Sequence, residues 1–404
     1  MKIVVLKFGG TSVGSAERIK NVAKIVTSYL KKKFKVIVVS SAMGGETNRL
    51  INLSKEISSN FTSSEYDTLV AAGEQISCSL IAGRLNDQGH LSRSWLSWQI
   101  PILTTGDYSY SKIESIYKKN IINFLKKGGV PVIAGFQGIN SENRVTTLGR
   151  GGSDASAIMI AKFFKAEKCI IYTDVDGVYT TDPNVVPKAK KIKKISYEEM
   201  LEMASLGAKV MQPNSIQDAR LNRIDIEVRS SFKNKAGSLI TKRKNISTKN
   251  IIRGVSFTKN DAKITLVGVK DRPGVAAKIF EPLFKNSINV DMVVQNISSY
   301  KKETDLTFTI KNEDLLKTEK LIKKNKKIIF KKLIIDERVS KVSIVGVGMI
   351  ATPGVTYRMF NALAKKNINI QVISTSEIKI SVLVERKNLK KAVDVLHKEF
   401  KLDY

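Results

Sequence analysis

An apolar run that stops at two glycines and gives way to helical periodicity confines the start of this chain to a strand, a tight turn and a helix. Residues 2–14 read Lys-Ile-Val-Val-Leu-Lys-Phe-Gly-Gly-Thr-Ser-Val-Gly, and Ile19, Val22, Ala23, Val26 and Leu30 follow at helical spacing. Without side chains at Gly9 and Gly10 the backbone N–H groups lie open to an anion, Lys7 brings a positive charge to the same place, and the helix N-terminus adds its partial charge. The pattern predicts a phosphate site, although the same turn serves elsewhere as a plain tight connection. It is not a Walker A loop, because no Lys-Ser or Lys-Thr pair stands at the required spacing from a glycine.

A second glycine turn lies at 146–157, Thr-Thr-Leu-Gly-Arg-Gly-Gly-Ser-Asp-Ala-Ser-Ala, where Ser153 or Asp154 is placed to cap a helix through Ile158, Ala161 and Phe164. The planar fork of Arg150 suits either a transferring phosphoryl group or a substrate carboxylate. Residues 170–183 then read as a strand ending in an acidic loop, the kind of strand end where ligands collect in open α/β sheets. Short apolar runs at 36–40, 131–134 and 169–172 alternate with helical stretches, which predicts a sheet with helices on both faces. Ser196 and Glu199 have the spacing of a capping box.

Composition narrows the function. No apolar run is long enough to span a bilayer and no secretory leader is recognisable, so the expectation is a cytoplasmic protein without membrane partners. Two cysteines and two histidines in 404 residues make neither a disulfide framework nor a zinc cluster. The net charge of +31 invites a nucleic-acid reading, but the lysines are scattered in runs such as Lys31-Lys32-Lys33 and Lys323-Lys324, with no basic motif interleaved with aromatics. They read as solvated faces, and no nucleic-acid partner is expected.

The C-terminal part contains a repeat. Residues 264–294 and 342–373 share the order strand, Val-Gly-Val, Pro-Gly-Val, helix, Ile-Asn and strand, with Pro273 matching Pro353 and Asn289 matching Asn369. Each copy reads as a ferredoxin-like βαββαβ unit. The second lacks one strand, and the spare apolar run 251–257 just before the first copy supplies it if the first unit is inserted into the second.

Taken together, Lys7-Phe8-Gly9-Gly10-Thr11-Ser12-Val13, Ser41-Ala42-Met43-Gly44, Gly73-Glu74-Gln75, Gly149-Arg150-Gly151-Gly152-Ser153-Asp154 and Thr173-Asp174-Val175-Asp176-Gly177-Val178-Tyr179 resemble the aspartate kinases of the amino acid kinase family, over essentially the whole chain. One departure is Gly45-Glu46, where the family commonly has a charged residue and a threonine; Thr47 stays in register. The resemblance implies an amino acid kinase-type open sheet in 1–231, a connector at 232–250, a first ACT unit at 263–336, and a second made of 251–262 plus 337–404. It implies ATP-dependent phosphorylation of the β-carboxylate of L-aspartate, the first step toward lysine, threonine and methionine, with Mg2+ accompanying the nucleotide and no dedicated metal site.

By the same resemblance Lys7 contacts the transferring phosphoryl group, with Gly9, Gly10 and Ser41 at the phosphates. Asp154 holds Lys7 by an ion pair. Thr47 and Glu74 are substrate residues, Glu74 pairing with the α-ammonium, while Arg150, Gly151, Gly152 and Ser153 serve the substrate carboxylate. Thr173, Asp174, Tyr179, Asp182, Lys209 and Val210 are assigned to the nucleotide side. Glu74 has a purely structural alternative, as the start or cap of a helix through Ile76, Leu80 and Ile81. The ACT units imply feedback by lysine, threonine or both, with Asp271, Gly274, Asn289, Val290, Asp291, Gln295, Asn369 and Ile370 lining an effector site, and a homo-oligomer joined through the tail. The two copies are not equivalent, since Asp271 stands opposite Ala351.

Overall fold

The structure, a computed structural model, describes residues 1–207, 210–242, 251–297, 303–325, 328–349 and 352–403. They divide into two compact units, Met1–Val178 with Lys191–Ser205 and Lys209–Ser247, and Tyr179–Lys190 with Leu206–Ala208 and Thr248–Tyr404.

The first unit runs β1 (Ile3–Phe8), α1 (Ala16–Lys31), β2 (Lys35–Ser40), α2 (Glu46–Ile57), α3 (Ser63–Asp87), β3 (Ser92–Trp95), β4 (Ile102–Thr105), β5 (Lys112–Ile116), α4 (Lys119–Lys126), β6 (Val130–Ala134), β7 (Gln137–Ile139), β8 (Val145–Thr147), α5 (Gly152–Phe163), β9 (Lys168–Thr173), β10 (Lys194–Ser196), α6 (Tyr197–Ser205), α7 (Pro213–Asn222), β11 (Ile226–Ser230) and β12 (Ser238–Thr241). Among the described residues an eight-stranded sheet has the order β10-β12-β11-β9-β1-β2-β6-β3. Only the β11–β12 pair is antiparallel. The central strand β1 is buried along its whole length, as expected of a parallel strand covered on both faces.

Side chains alternate across that strand. Val4, Leu6 and Phe8 pack with Val22 and Val26 of α1 and with Ile81 and Leu85 of α3. Lys7 faces the other way, toward Asp154 of α5, so helices cover both faces as the sequence predicts. In register, Phe8 lies beside Ser40 and Tyr172, which aligns the carboxyl ends of β1, β2 and β9. A smaller sheet of order β5-β4-β7-β8 stands apart from the first. The predicted capping box is formed: Glu199 N–H donates to Ser196 Oγ and Ser196 N–H to Glu199 Oε2, both at 3.1 Å.

The second unit runs β13 (Gly254–Lys270), α8 (Val275–Lys285), β14 (Val290–Ile297), β15 (Glu303–Lys311), α9 (Leu315–Lys324), β16 (Lys332–Val345), α10 (Val355–Ala364), β17 (Val372–Thr375), β18 (Lys379–Glu385) and α11 (Leu389–Glu399). Its antiparallel sheet has the order β14-β15-β13-β16-β18-β17. The long strands β13 and β16 serve both halves: Gly254–Phe257 pairs with Val345–Val342, and Ile264–Leu266 pairs with Ile335–Leu333 and with β15. One core gathers Ile264, Leu266, Ile279 and Phe308, the other Val255, Val342, Met359 and Leu396. The repeat is visible in the turns, where Gly274 (φ +83°) and Gly354 (φ +92°) hold matching positions before α8 and α10, in a backbone region that disfavours residues with a side chain.

Four details differ from the sequence-based expectation. Stretch 232–250 is not wholly a connector, because β12 within it completes the first unit's sheet. Tyr179–Lys190 and residues 206–207, expected in the N-terminal domain, cluster with the second unit; Val186 joins its core beside Ile252 and Val255, and Val255 N–H donates to Thr180 O at 2.7 Å. The helix after the second glycine turn is entered through Gly151 (φ +79°), not capped by Ser153 or Asp154. A 3-10 turn, Gly10–Val13, separates the first glycine pair from α1, which Ser15 caps by accepting from Arg18 N–H. Lys209, 243–250 and Ala351 lie outside the described residues.

Candidate active site

The site is built where β1, β2 and β9 end. Lys7 Nζ lies 2.6 Å from Asp154 Oδ1, and both residues are 8% exposed. A methyl group added at Gly9 would lie 3.5 Å from Lys7 Nζ, so the ammonium curls over the glycine turn. The Gly9 amide, expected to face an anion, instead donates to Tyr172 O at 3.0 Å and ties the turn to β9. Gly10 is required for a different reason: a Cβ there would fall 2.9 Å from Ala42 O. That close approach lets Gly44 N–H donate to Gly10 O and Ser41 N–H to Phe8 O, both at 3.0 Å, so the loop of 41–44 is knitted to the first turn.

The same loop meets α3. Gly73 allows it, since a Cβ at that position would press to 2.8 Å on Ala42 Cβ. Glu74 is therefore a mid-helix residue and neither starts nor caps the helix. Its Oε1 accepts from Ala42 N–H at 2.9 Å. Its Oε2 is buried without a hydrogen-bond partner among the described residues. Burial pushes the Glu74 carboxyl up to about 8, against the Ala42 amide and the Lys7 charge, which act in the other direction. A neutral acid with one oriented, unused oxygen is poised to meet a cation.

Ser41 is half-buried, as is Thr47 in the first turn of α2, which Gly45 opens at φ +87°. Arg150 is exposed at the crest of the turn formed by Gly149 (φ +72°) and Gly151 (φ +79°), with Gly152, Ser153 and Asp154 buried behind it or nearly so. Thr173 is half-buried at the end of β9, hydrogen-bonded to the exposed Asp174, and Val210 is half-buried. Tyr179 and Asp182 belong to the second unit, where Asp182 Oδ1 accepts from Asn184 N–H at 2.9 Å.

Sequence reasoning passed over Asp67 and Ser77. Ser77, one turn after Glu74, donates to Ser41 O at 2.7 Å and accepts from Ser40 Oγ at 2.8 Å. Asp67 precedes Glu74 by seven residues, two helical turns on the same face, a spacing the sequence does display.

The expected effector residues lie in the second unit. Val290, Asp291 and Gln295 stand on β14, Asn289 just before it, Asp271 and Gly274 before α8, Asn369 and Ile370 before β17. Met292 of β14 packs with Val372 of β17 and Leu383 of β18, which brings the two edges of that sheet together. Burial raises the Asp291 carboxyl, but Lys341, ion-paired with it, and the Met292 amide outweigh this and hold it below the usual range.

A strand-end site of this kind on a mostly parallel sheet defines a small-molecule kinase. Residues 2–230 match the amino acid kinase family, and 264–325 with 342–400 match the ACT domain. The aspartate kinase of Pseudomonas putida is 46% identical over 405 residues, spanning 100% of this chain and 98% of its own. Aspartokinase of Helicobacter pylori strain J99 is 46% identical over 99% of this chain and all of its own. Among solved structures, Escherichia coli aspartokinase III with aspartate and ADP superposes at a TM-score of 0.78, with 25% identity over 98% of this chain and 99% of that one. Its complex with lysine and aspartate superposes at 0.82, with 26% identity over 99% and 100%. The chain belongs to the amino acid kinase family and, within it, to the aspartate kinases. It is a nucleotide-dependent enzyme.

Proposed function

We propose that the first unit transfers the γ-phosphoryl group of ATP to the β-carboxylate of L-aspartate, giving 4-phospho-L-aspartate as the first step toward lysine, threonine and methionine. The observation that carries the reading is the Lys7–Asp154 pair beside the first glycine turn, with the unpartnered oxygen of Glu74 on the neighbouring helix. The nucleophile is an anion at neutral pH and needs no general base, so the work lies in offsetting repulsion between a carboxylate and a triphosphate. Lys7 supplies charge at the transferring group while Asp154 fixes its ammonium. Ser41, Gly9 and Gly10 shape the phosphate side, and Thr173, Asp174, Lys209 and Val210 the rest of the nucleotide. Glu74 takes the α-ammonium of aspartate, Arg150 its α-carboxylate, and Thr47 and Ser153 complete that pocket.

Magnesium accompanies the nucleotide as MgATP in this reading, since Mg2+ is commonly held through substrate phosphates with few protein ligands. No helix among the described residues is long and apolar enough to cross a membrane. We read the second unit as two interleaved βαββαβ modules that bind lysine, threonine or both and join copies of the chain into a homo-oligomer. The aspartokinase III complex with lysine and aspartate supports the lysine part of this reading. A hydroxamate assay with ATP and aspartate, run with and without lysine and threonine, tests both halves. No aspartate-dependent product overturns the first, and full activity at saturating effector the second.

A further inference from the structure

Asp67 is fully buried in α3, yet none of its four hydrogen bonds described here serves that helix. Oδ2 accepts from the backbone N–H of Ser109 at 2.8 Å and of Thr147 at 2.7 Å. Oδ1 accepts from the hydroxyls of the same two residues, at 2.8 and 2.9 Å. One carboxylate thus clamps two segments that lie 38 residues apart (147 minus 109), which also hydrogen-bond each other through Ser111 N–H to Thr147 O and, nearby, between the hydroxyls of Thr104 and Thr146.

Both segments lead to Arg150. Thr147 ends β8 three residues before it. Ser109, held at φ +66°, presses its carbonyl against the turn, since a Cβ at Gly149 would stand 2.8 Å from Ser109 O. Seven residues further along the same face of α3 lies Glu74, about 10 Å away at 1.5 Å rise per residue. The helix therefore fixes the partner of the substrate ammonium directly, and through Asp67 it fixes the loop that carries the guanidinium.

We infer that Asp67 is a positioning residue for the amino-acid substrate, holding the Arg150 turn at a set distance from Glu74. The inference rests on the proposed reading of Arg150 and Glu74 as the two ends of the aspartate pocket. A clamp of this type acts through hydrogen-bond geometry, so the amide of asparagine can replace it: the amide oxygen accepts from both N–H groups, and its NH2 donates to the two hydroxyls.

The test compares steady-state kinetics of wild type, Asp67→Ala, Asp67→Asn, Ser109→Ala and Thr147→Val in the full chain, with melting temperatures measured alongside. In Asp67→Ala the KM for aspartate is expected to rise by about 10-fold or more, while the KM for ATP stays within about twofold. Asp67→Asn is expected to recover most of that loss, and the two hydroxyl variants to fall between. A lower melting temperature with unchanged KM for aspartate overturns the inference, as does an equal rise in both KM values or an Asp67→Asn as impaired as alanine. Should Asp67→Ala not fold, unchanged KM for aspartate in both Ser109→Ala and Thr147→Val overturns it. Wild-type protein that fails to phosphorylate aspartate would instead sink the proposed function itself.

Discussion

The acidic side chains proposed for the two sites are held in opposite ways. In the first, Asp67, Glu74 and Asp154 are all buried: both Asp67 oxygens and Glu74 Oε1 accept from fixed donors, Asp154 Oδ1 faces Lys7, and Glu74 Oε2 has no partner among the described residues. In the second, Asp271 and Asp291 are exposed on a turn and on the edge strand β14. Buried, pre-oriented charge is what phosphoryl transfer demands, because its donors must not reorganise as charge develops. The effector site proposed for the second unit needs only to bind differently in two states, and exposed groups that are ordered on binding can do that. The difference teaches where a substitution changes chemistry and where it changes regulation.

The largest effect should come from the pair that most embodies buried charge. Lys7→Ala is expected to lower kcat by about 10³-fold, and Asp154→Asn by about 10²-fold, with the KM for aspartate little changed. Steady-state kinetics decide the matter; a raised KM with unchanged kcat would mean that the pair serves ground-state binding. Glu74→Gln comes next, expected to raise the KM for aspartate by about 10-fold or more. Because burial keeps Glu74 neutral up to about pH 8, pairing with a substrate ammonium must ionise it and release a proton near pH 7. Calorimetry of aspartate binding in buffers of different ionisation enthalpy should show that proton in wild type and not in Glu74→Gln. Without substrate the sign also follows: the folded state holds a proton that the unfolded state has lost above about pH 4.5, so Glu74 costs stability as pH rises toward 8. Melting of Glu74→Gln should show less of that decline.

These expectations also mark how far the sequence could be read. The strand ending at Lys7 and both glycine turns were legible as strand, turn and helix, because an apolar run that breaks at small residues confines the backbone. The capping box of Ser196 and Glu199 was legible for the same local reason. What could not be read was tertiary. Nothing near Gly9 shows that its amide is committed to Tyr172, nor does 179–190 reveal that Val186 packs with Val255. Asp67 carried a signal in its seven-residue spacing from Glu74, but its partners Ser109 and Thr147 are 42 and 80 residues away.

Regulation should respond on a different axis. Asp271→Ala, on the exposed turn before α8, is expected to weaken inhibition by lysine plus threonine by about 10-fold and to leave uninhibited kcat unchanged. Titrating the variant with both amino acids checks it. A loss of kcat there would erase the contrast between the units, since an exposed acid would then be serving chemistry.

The smallest effect sharpens the comparison from within the second unit, which buries a histidine. His397 of α11 is 1% exposed, and its Nε2 lies 2.8 Å from Thr180 Oγ1. Burial holds the imidazole below its ordinary value of 6.5, outweighing Asp403 and Asp394, which favour the charged form. Below pH 6.5 the unfolded chain therefore binds a proton that the folded unit resists, so this contribution to stability is complete above 6.5 and fades as pH falls. Melting temperatures between pH 5 and 8 should decline on the acid side in wild type, and His397→Gln should flatten that decline by about 2 °C or less. Kinetics at pH 8 should be untouched, because His397 and its partner Thr180 both belong to the second unit and neither is among the residues proposed to carry the reaction. A flattened melting curve accompanied by lost turnover would place His397 among the groups that serve the reaction.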